Sequence, residues 1–257
     1  MSVRLLDAGD AAFTVEFGNR IDVTLLAAVQ ALDQAIARAH RAGELPGLIE
    51  TMPTFRSLTV FYDPLITGRQ ALLTALKPML ADAEDPGALV QSRRWRLPVC
   101  YGGESGIDLV SVAQTIGATP DEVIALHSGT EVCVYMLGFL PGFPFMGDVH
   151  ERLKLPRRTE PRVRVPAGSV AIAGGLTAIY PWESPGGWHL LGRCPVPLFD
   201  ARRAEAPSLL AAGDRVRFVP VSQAECQDIE AACQAGEIDP ARWLADAPTD
   251  ADARVGT

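Results

Sequence analysis

Apolar positions recur at two different periods in the N-terminal third of the chain. Ala12-Phe13-Thr14-Val15-Glu16-Phe17 alternates apolar and polar side chains, the two-residue period of a half-buried strand, and Gly18-Asn19 closes it. Leu25, Val29, Leu32 and Ile36 share one face only in a helix, and Asp22 stands ahead of them as a cap. A second extended segment, Leu58-Thr59-Val60-Phe61-Tyr62, stops at Asp63-Pro64. Thr67-Gly68-Arg69-Gln70 then reads as a capping box for a helix carrying Leu72, Leu73, Leu76 and Leu80, which Pro78 is predicted to kink or end. Strand, helix, strand, helix predicts a small α+β domain over residues 1–86.

The pattern changes after Ala83-Glu84-Asp85-Pro86-Gly87, an acidic, breaker-rich stretch without periodicity that is predicted to link two domains. Arg96-Leu97-Pro98-Val99-Cys100 looks extended. Asp108 is placed to cap a helix over Leu109 to Ile116, and Thr119-Pro120-Asp121-Glu122 is a capping box with proline at the first helical position. From Val132 to Val219 short strand signals sit at Val170-Ala171-Ile172, Ala178-Ile179-Tyr180 and Arg215 to Val219 between glycine- and proline-rich turns. That spacing predicts a β-barrel or sandwich over residues 87–244. A last helix is expected over Ser222 to Gln234, and residues 245–257 are expected to form a loose tail.

Composition narrows the chemistry. The 257 residues are 48% hydrophobic and carry a net charge of −8, a globular profile that disfavours nucleic acid and anionic membranes. No run approaches the ~20 apolar residues of a membrane span, and the start lacks a signal-peptide core, so the expected location is the cytoplasm. Five scattered cysteines without a C-x-x-C pair argue against a disulfide framework or structural zinc. P-loop, G-x-G-x-x-G and G-x-S-x-G patterns are missing, the four histidines lack ligand spacing, and neither lysine stands in a Met-Lys-Met biotin setting.

What stands out instead is the density of Gly, Pro, Arg and aromatic residues between Tyr135 and Asp200. Gly138 to Gly147, with Phe139, Pro141, Gly142 and Phe143, is excluded as a regular helix or central strand and reads as a shaped loop, either a barrel rim or the wall of a pocket. Arg157, Arg158, Arg162 and Arg164 alternate with prolines, giving either a solvated loop or a fork-shaped carboxylate or phosphate site. Tyr180 to His189 repeats the recipe with Ser184 and Trp188, and its Gly186-Gly187 pair suits a backbone nest aimed at an anion or a carbonyl. Glu104, in a glycine turn, and His127, after Val123-Ile124-Ala125-Leu126, are candidates for proton transfer; the plainer readings are a solvated turn and a helix-dipole partner.

These segments, taken in order, resemble a known family. His127-Ser128, Gly138-Phe139-Leu140-Pro141-Gly142-Phe143, Val165-Pro166-Ala167-Gly168-Ser169 to Gly175, Tyr180-Pro181, Ser184-Pro185-Gly186-Gly187-Trp188 and Leu191-Gly192-Arg193 resemble the KipI family. It is also called allophanate hydrolase subunit 1 or the 5-oxoprolinase B subunit. Pro98-Val99 with Tyr101-Gly102-Gly103-Glu104, Asp108-Leu109 and Gly213 to Phe218 extend the match over nearly the whole chain. The resemblance implies an α+β N-terminal domain followed by a cyclophilin-like β-barrel domain. It implies one component of an ATP-dependent 5-oxoprolinase that opens 5-oxoproline to glutamate and is inactive alone. Its partners would be the 5-oxoprolinase C subunit, the homologue of allophanate hydrolase subunit 2, and a LamB/YcsF-type A subunit. A KipI-type inhibitor of a sensor histidine kinase and a component of a urea or allophanate pathway are the alternatives. The implied substrate site, for a small acid or amide, comprises Phe139, Pro141, Gly142, Phe143, Arg162, Arg164, Ser169, Tyr180, Ser184, Gly186, Gly187, Trp188 and Arg193, with Glu104 and His127 moving protons. ATP would be used by the complex, with no metal site and no biotin on this chain.

Overall fold

In the computed structural model, which describes residues 3–83, 92–203 and 205–245, the chain divides into two units, 1–92 and 93–257. The predicted linker beyond Ala83 and the tail beyond Ala245 lie outside the described residues.

In the first unit Asp22 accepts the Thr24 N–H at 2.8 Å and opens helix α1 (Val23–Arg41), whose last turn places Arg38, His40 and Arg41 against the negative end of its dipole. The sheet has four antiparallel strands, β1 (Arg4–Asp7), β2 (Ala12–Glu16), β3 (Leu48–Pro53) and β4 (Ser57–Tyr62), in the order β1-β2-β4-β3. Phe13 pairs with Val60 and Val15 with Leu58, so the two-residue period points all four at Leu32, Ile36 and Leu76. β1 and β3 escape sequence reading because they lack that period: every residue of β1 is exposed, and β3 carries a bulge. Helix α2 (Arg69–Ala83) continues past Pro78, so of the two outcomes expected there, a kink or an end, the proline does not end it. Burial of Leu72, Leu76 and Ala83 along one face offsets the ~3 kcal/mol that an internal proline costs.

The second unit is a closed barrel of seven strands. They are β5 (Arg94–Tyr101), β6 (Val132–Leu137), β7 (Pro144–Gly147), β9 (Ser169–Ala173), β10 (Leu176–Ile179), β12 (His189–Arg193) and β13 (Arg215–Pro220), in the order β10-β7-β6-β13-β5-β12-β9. β5 and β13 run parallel; the remaining neighbours are antiparallel. Helices α3 (Leu109–Thr115) and α4 (Pro120–Gly129) and a short separate ribbon, β8 (Arg162–Val165) with β11 (Ser184–Gly186), surround it, and helix α5 (Gln223–Ala235) follows β13. Capping boxes at Thr119 and Ser222 start α4 and α5.

Two sequence expectations change here. The second half of Gly138 to Gly147 is a central strand after all, because Pro144 takes the first position of β7, where a missing N–H is tolerated. Asp108 precedes α3 without a side-chain cap bond, since its carboxylate is engaged elsewhere.

Candidate functional site

Asp108 is buried, with 4% of its surface exposed, and its two oxygens organise the loops around it. Oδ2 accepts the Leu190 N–H at 2.7 Å. Oδ1 accepts Arg162 Nη2 at 2.7 Å and Arg158 Nη1 at 3.2 Å. One carboxylate thus holds two guanidiniums, and Arg162 also donates to the Trp188 carbonyl at 3.4 Å. Arg157 adds a third cation, 5.9 Å from the centre of the Trp188 ring. Against three arginines stand Asp108 and the exposed Glu160, so the cluster is locally cationic in a chain of net charge −8.

The three breaker-rich loops meet at this cluster. Arg158 N–H donates to the Gly187 carbonyl at 2.8 Å, tying the 157–162 loop to the loop before β12. Trp182 Nε1–H donates to the Pro141 carbonyl at 3.1 Å and ties in the 138–143 loop. Phe143 sits at the junction, 5.0 Å from Tyr180 and 4.9 Å from Phe145, and Phe145 meets Trp188 edge-on at 6.1 Å. Burial raises the Tyr180 phenol above its ordinary value while Arg157 and Arg162 pull it down, which places both cations in the field of its hydroxyl. On the outer side of the loop a cavity of about 290 Å³ is lined by Arg157, Arg158, Thr159, His189, Leu155, Pro156 and Thr115. Surplus guanidinium charge beside aromatic rings suits a small carboxylate with an apolar body.

Residues 3–210 match the family described as carboxyltransferase domain, subdomain C and D. The 5-oxoprolinase B subunit of Bacillus subtilis (strain 168) is 42% identical over 224 residues, which are 84% of this chain and 91% of that protein. The chain belongs to the family of the 5-oxoprolinase B subunit and KipI. A second member, from Escherichia coli O157:H7, is 43% identical over 73% of this chain and 85% of its own. Among solved structures, the crystal structure of TTHA0988 superposes with a TM-score of 0.70 at 40% identity, covering 86% of this chain and 40% of that longer one.

Within this family frame the residues singled out in the sequence separate into several environments. Phe143, Tyr180 and Trp188 are brought together but buried, at 2%, 2% and 5% exposed, so they form a closed aromatic core and not the open walls expected. Phe139, by contrast, projects, 68% exposed, from a backbone held at φ 70°, a conformation that costs a non-glycine residue ~1–2 kcal/mol. Pro141 and Gly142 shape that loop; a side chain on Gly142, at φ 75°, would meet Phe199 at 2.8 Å. Arg162 reaches the cluster, whereas Arg164 pairs with the exposed Glu183 at 2.9 Å on the rim. Arg193 leaves the group altogether and pairs with Glu230 of α5. Ser169 is buried in β9, and the Ser184 hydroxyl is buried without a partner.

Three expectations are corrected. Gly186 and Gly187 form no nest, since neither has the positive φ a nest needs. Gly186 lies in β11, and a Cβ there would collide with the Tyr180 hydroxyl; glycine is required for close packing. His127 is not at an open surface as a helix-end partner but 1% exposed, with both ring nitrogens hydrogen-bonded, to Tyr101 and to Thr177. Glu104 lies exposed in its turn, outside the Asp108 cluster's hydrogen bonds. Asp108, which organises the site, escapes sequence reading because a carboxylate before a helix looks like a cap, whereas Arg158 belongs to the arginine group read as a possible anion site. Among the described residues no His, Cys, Asp and Glu group is placed to hold a metal ion, and no helix is long and apolar enough to cross a membrane.

The packing of Gly186 gives a direct test. Gly186→Ala should cost about 1–3 kcal/mol through overpacking against the buried Tyr180 ring. Gly187→Ala, whose nearest neighbour would be 3.6 Å away, should melt within a degree or two of the parent. Equal melting temperatures for the two variants would contradict the assignment.

Proposed function

We propose that the chain is the B subunit of an ATP-using 5-oxoprolinase that opens 5-oxoproline to glutamate, and that it is inactive without its partners. The observation that carries this reading is the 42% identity to a protein named as the 5-oxoprolinase B subunit over 91% of that protein's length. The site chemistry supports it. 5-Oxoproline is a five-membered lactam with one carboxylate: Arg162 and Arg158, sharing a single Asp108, keep a net positive charge for that carboxylate, and the projecting Phe139 offers apolar surface for the ring. On this reading the chain holds and orients the substrate. The C subunit and the LamB/YcsF-type A subunit supply the ATP chemistry, in the cytoplasm. That the matched stretch makes up only 40% of TTHA0988 supports a partner polypeptide, since the same fold there continues into further sequence. The barrel is read as cyclophilin-like and the first unit as the family's α+β domain.

Co-expression with the C-subunit and LamB/YcsF-type proteins, followed by purification and an assay of glutamate release from 5-oxoproline, tests this. Glutamate should form only with ATP and only when this chain is present, and the isolated chain should turn over no ATP. A stable three-part complex that leaves 5-oxoproline intact would overturn the reading, as would ATP turnover by the isolated chain.

A further inference from the structure

A second cleft, larger than the one beside Arg158, shares Tyr180 with the site above but none of its arginines. Its volume is about 330 Å³, at the lower end of ligand pockets, which suits a molecule of amino-acid size. Four charges line it. Arg193 of β12 pairs with Glu230 of α5, and Arg202 pairs with Asp200 at 2.9 Å; Arg202 holds the Asp200 carboxyl down at about 2, so it is ionised across the physiological range. Both carboxylates are partly accessible, Glu230 at 27% and Asp200 at 29%, and the Arg193 guanidinium at 40%, while its Nε–H is buried without a partner. The rest of the wall is mixed: Ile179, Val196, Leu198, Phe199 and prolines supply apolar surface beside Tyr180, Gln234 and two cysteines. Gly168, at φ 82°, keeps the near wall open, since a Cβ there would lie 2.7 Å from the Cys194 carbonyl and 3.3 Å from Arg193 Nε.

The charges on this wall sum to zero, and every cation already has a carboxylate. A simple anion would have to displace Glu230 from Arg193 and leave that carboxylate unpaired; a simple cation would leave the arginine unpaired. A ligand carrying both charges avoids either cost, because its carboxylate can take the guanidinium while its ammonium takes the carboxylate. From this geometry we propose that the cleft is a binding site for a small zwitterionic α-amino acid with an uncharged side chain. Arg193 receives the ligand's carboxylate, Glu230 its ammonium, and Phe199 with the prolines its side chain. The site is independent of the 5-oxoprolinase reading, as its four charged residues lie outside the Asp108 cluster.

Titration calorimetry on the full chain, with L-leucine as the first probe and the other uncharged amino acids after it, tests the proposal. At least one should bind, and blocking either charge, as in N-acetyl-L-leucine or L-leucinamide, should weaken binding about tenfold or more. Glu230→Gln and Arg193→Met, both at partly exposed positions, should each do the same while leaving the melting curve intact, whereas Arg162→Ala should leave amino-acid binding unchanged. Occupancy should also slow alkylation of Cys233, which lines the cleft and is half-buried where the other four thiols are buried. Absence of binding by every uncharged amino acid would overturn the proposal. So would equal binding of the blocked analogues, or parent-like binding by both cleft variants.

Discussion

Asp108→Ala should destabilise the barrel unit by about 3–5 kcal/mol, the largest effect of any single truncation at the site. The carboxylate is 6% exposed on its side chain and accepts from two guanidiniums and one backbone N–H, so its removal leaves Arg158 and Arg162 facing each other with no anion between them. Arg162 is itself only 20% exposed, which prevents water from replacing the lost partner. Asp108→Asn should cost less, because the amide oxygen can keep one acceptor role. Arg162→Ala should move stability and binding in different proportions. It relieves the crowding of cations, yet removes a charge-assisted hydrogen bond worth ~1.5–3 kcal/mol to a bound carboxylate, raising the KM of the reconstituted complex by roughly ten- to a hundredfold. Urea denaturation of the chain and steady-state kinetics of the complex separate the two. An Asp108→Ala midpoint within about 1 kcal/mol of the parent would show that the cluster is not held together by this carboxylate. An unchanged KM in Arg162→Ala would remove Arg162 from the substrate site and leave it as a strut of the loop.

The contrast between Asp108 and His127 shows which parts of this protein can be read from its residues. Helices whose apolar side chains keep a strict period, such as Leu25, Val29, Leu32 and Ile36, announce themselves, because periodicity is the local trace of a buried face. The capping box at Thr119 is legible for the same reason: donor and acceptor lie three residues apart in the chain. The three loops with their aromatic and arginine residues are also legible, since breakers and guanidiniums in one stretch are costly to keep without purpose. Partners are not. Asp108 finds Arg158 and Arg162 fifty or more positions away, and Arg164, with nearly the same local sequence as Arg162, finds Glu183 on the surface. Nothing local separates the two arginines, which stand two apart on β8; they differ in the carboxylate that the rest of the fold brings to each. The strand at Pro144 is concealed by its proline, whose effect depends on whether that N–H is needed by a neighbour.

His127 should make the protein acid-sensitive without taking part in its chemistry. Its ring is stacked on Phe218 at 4.5 Å, and a chain of hydrogen bonds fixes its protons. Thr177 Oγ1 donates to the Ala171 carbonyl at 3.0 Å, so it accepts from His127 Nε2–H at 2.9 Å, leaving Nδ1 to accept the Tyr101 hydroxyl at 2.7 Å. Every donor meets an acceptor only while the imidazole is neutral. A second proton on Nδ1 would face the Tyr101 O–H inside a site without water access, and burial accordingly pulls the His127 pKa from 6.5 down to about 3. The unfolded chain takes up that proton near pH 6.5 and the folded chain does not. Stability from this residue is therefore complete above about pH 6.5 and is lost as pH falls toward 3, by about 4–5 kcal/mol in all. His127→Gln retains a side chain able to bridge Tyr101 and Thr177 but carries no titratable group. It should be less stable than the parent at neutral pH, through the lost stacking, yet its stability should fall less steeply between pH 6.5 and 3, by close to one proton's worth of slope. Carboxylates such as Glu16 and Asp200, also held low by arginine neighbours, titrate in both proteins and cancel in the difference. Parallel stability curves for the parent and His127→Gln over that range would mean that the imidazole is protonated in the folded state, with Nδ1–H donating to the Tyr101 hydroxyl oxygen instead of accepting from it.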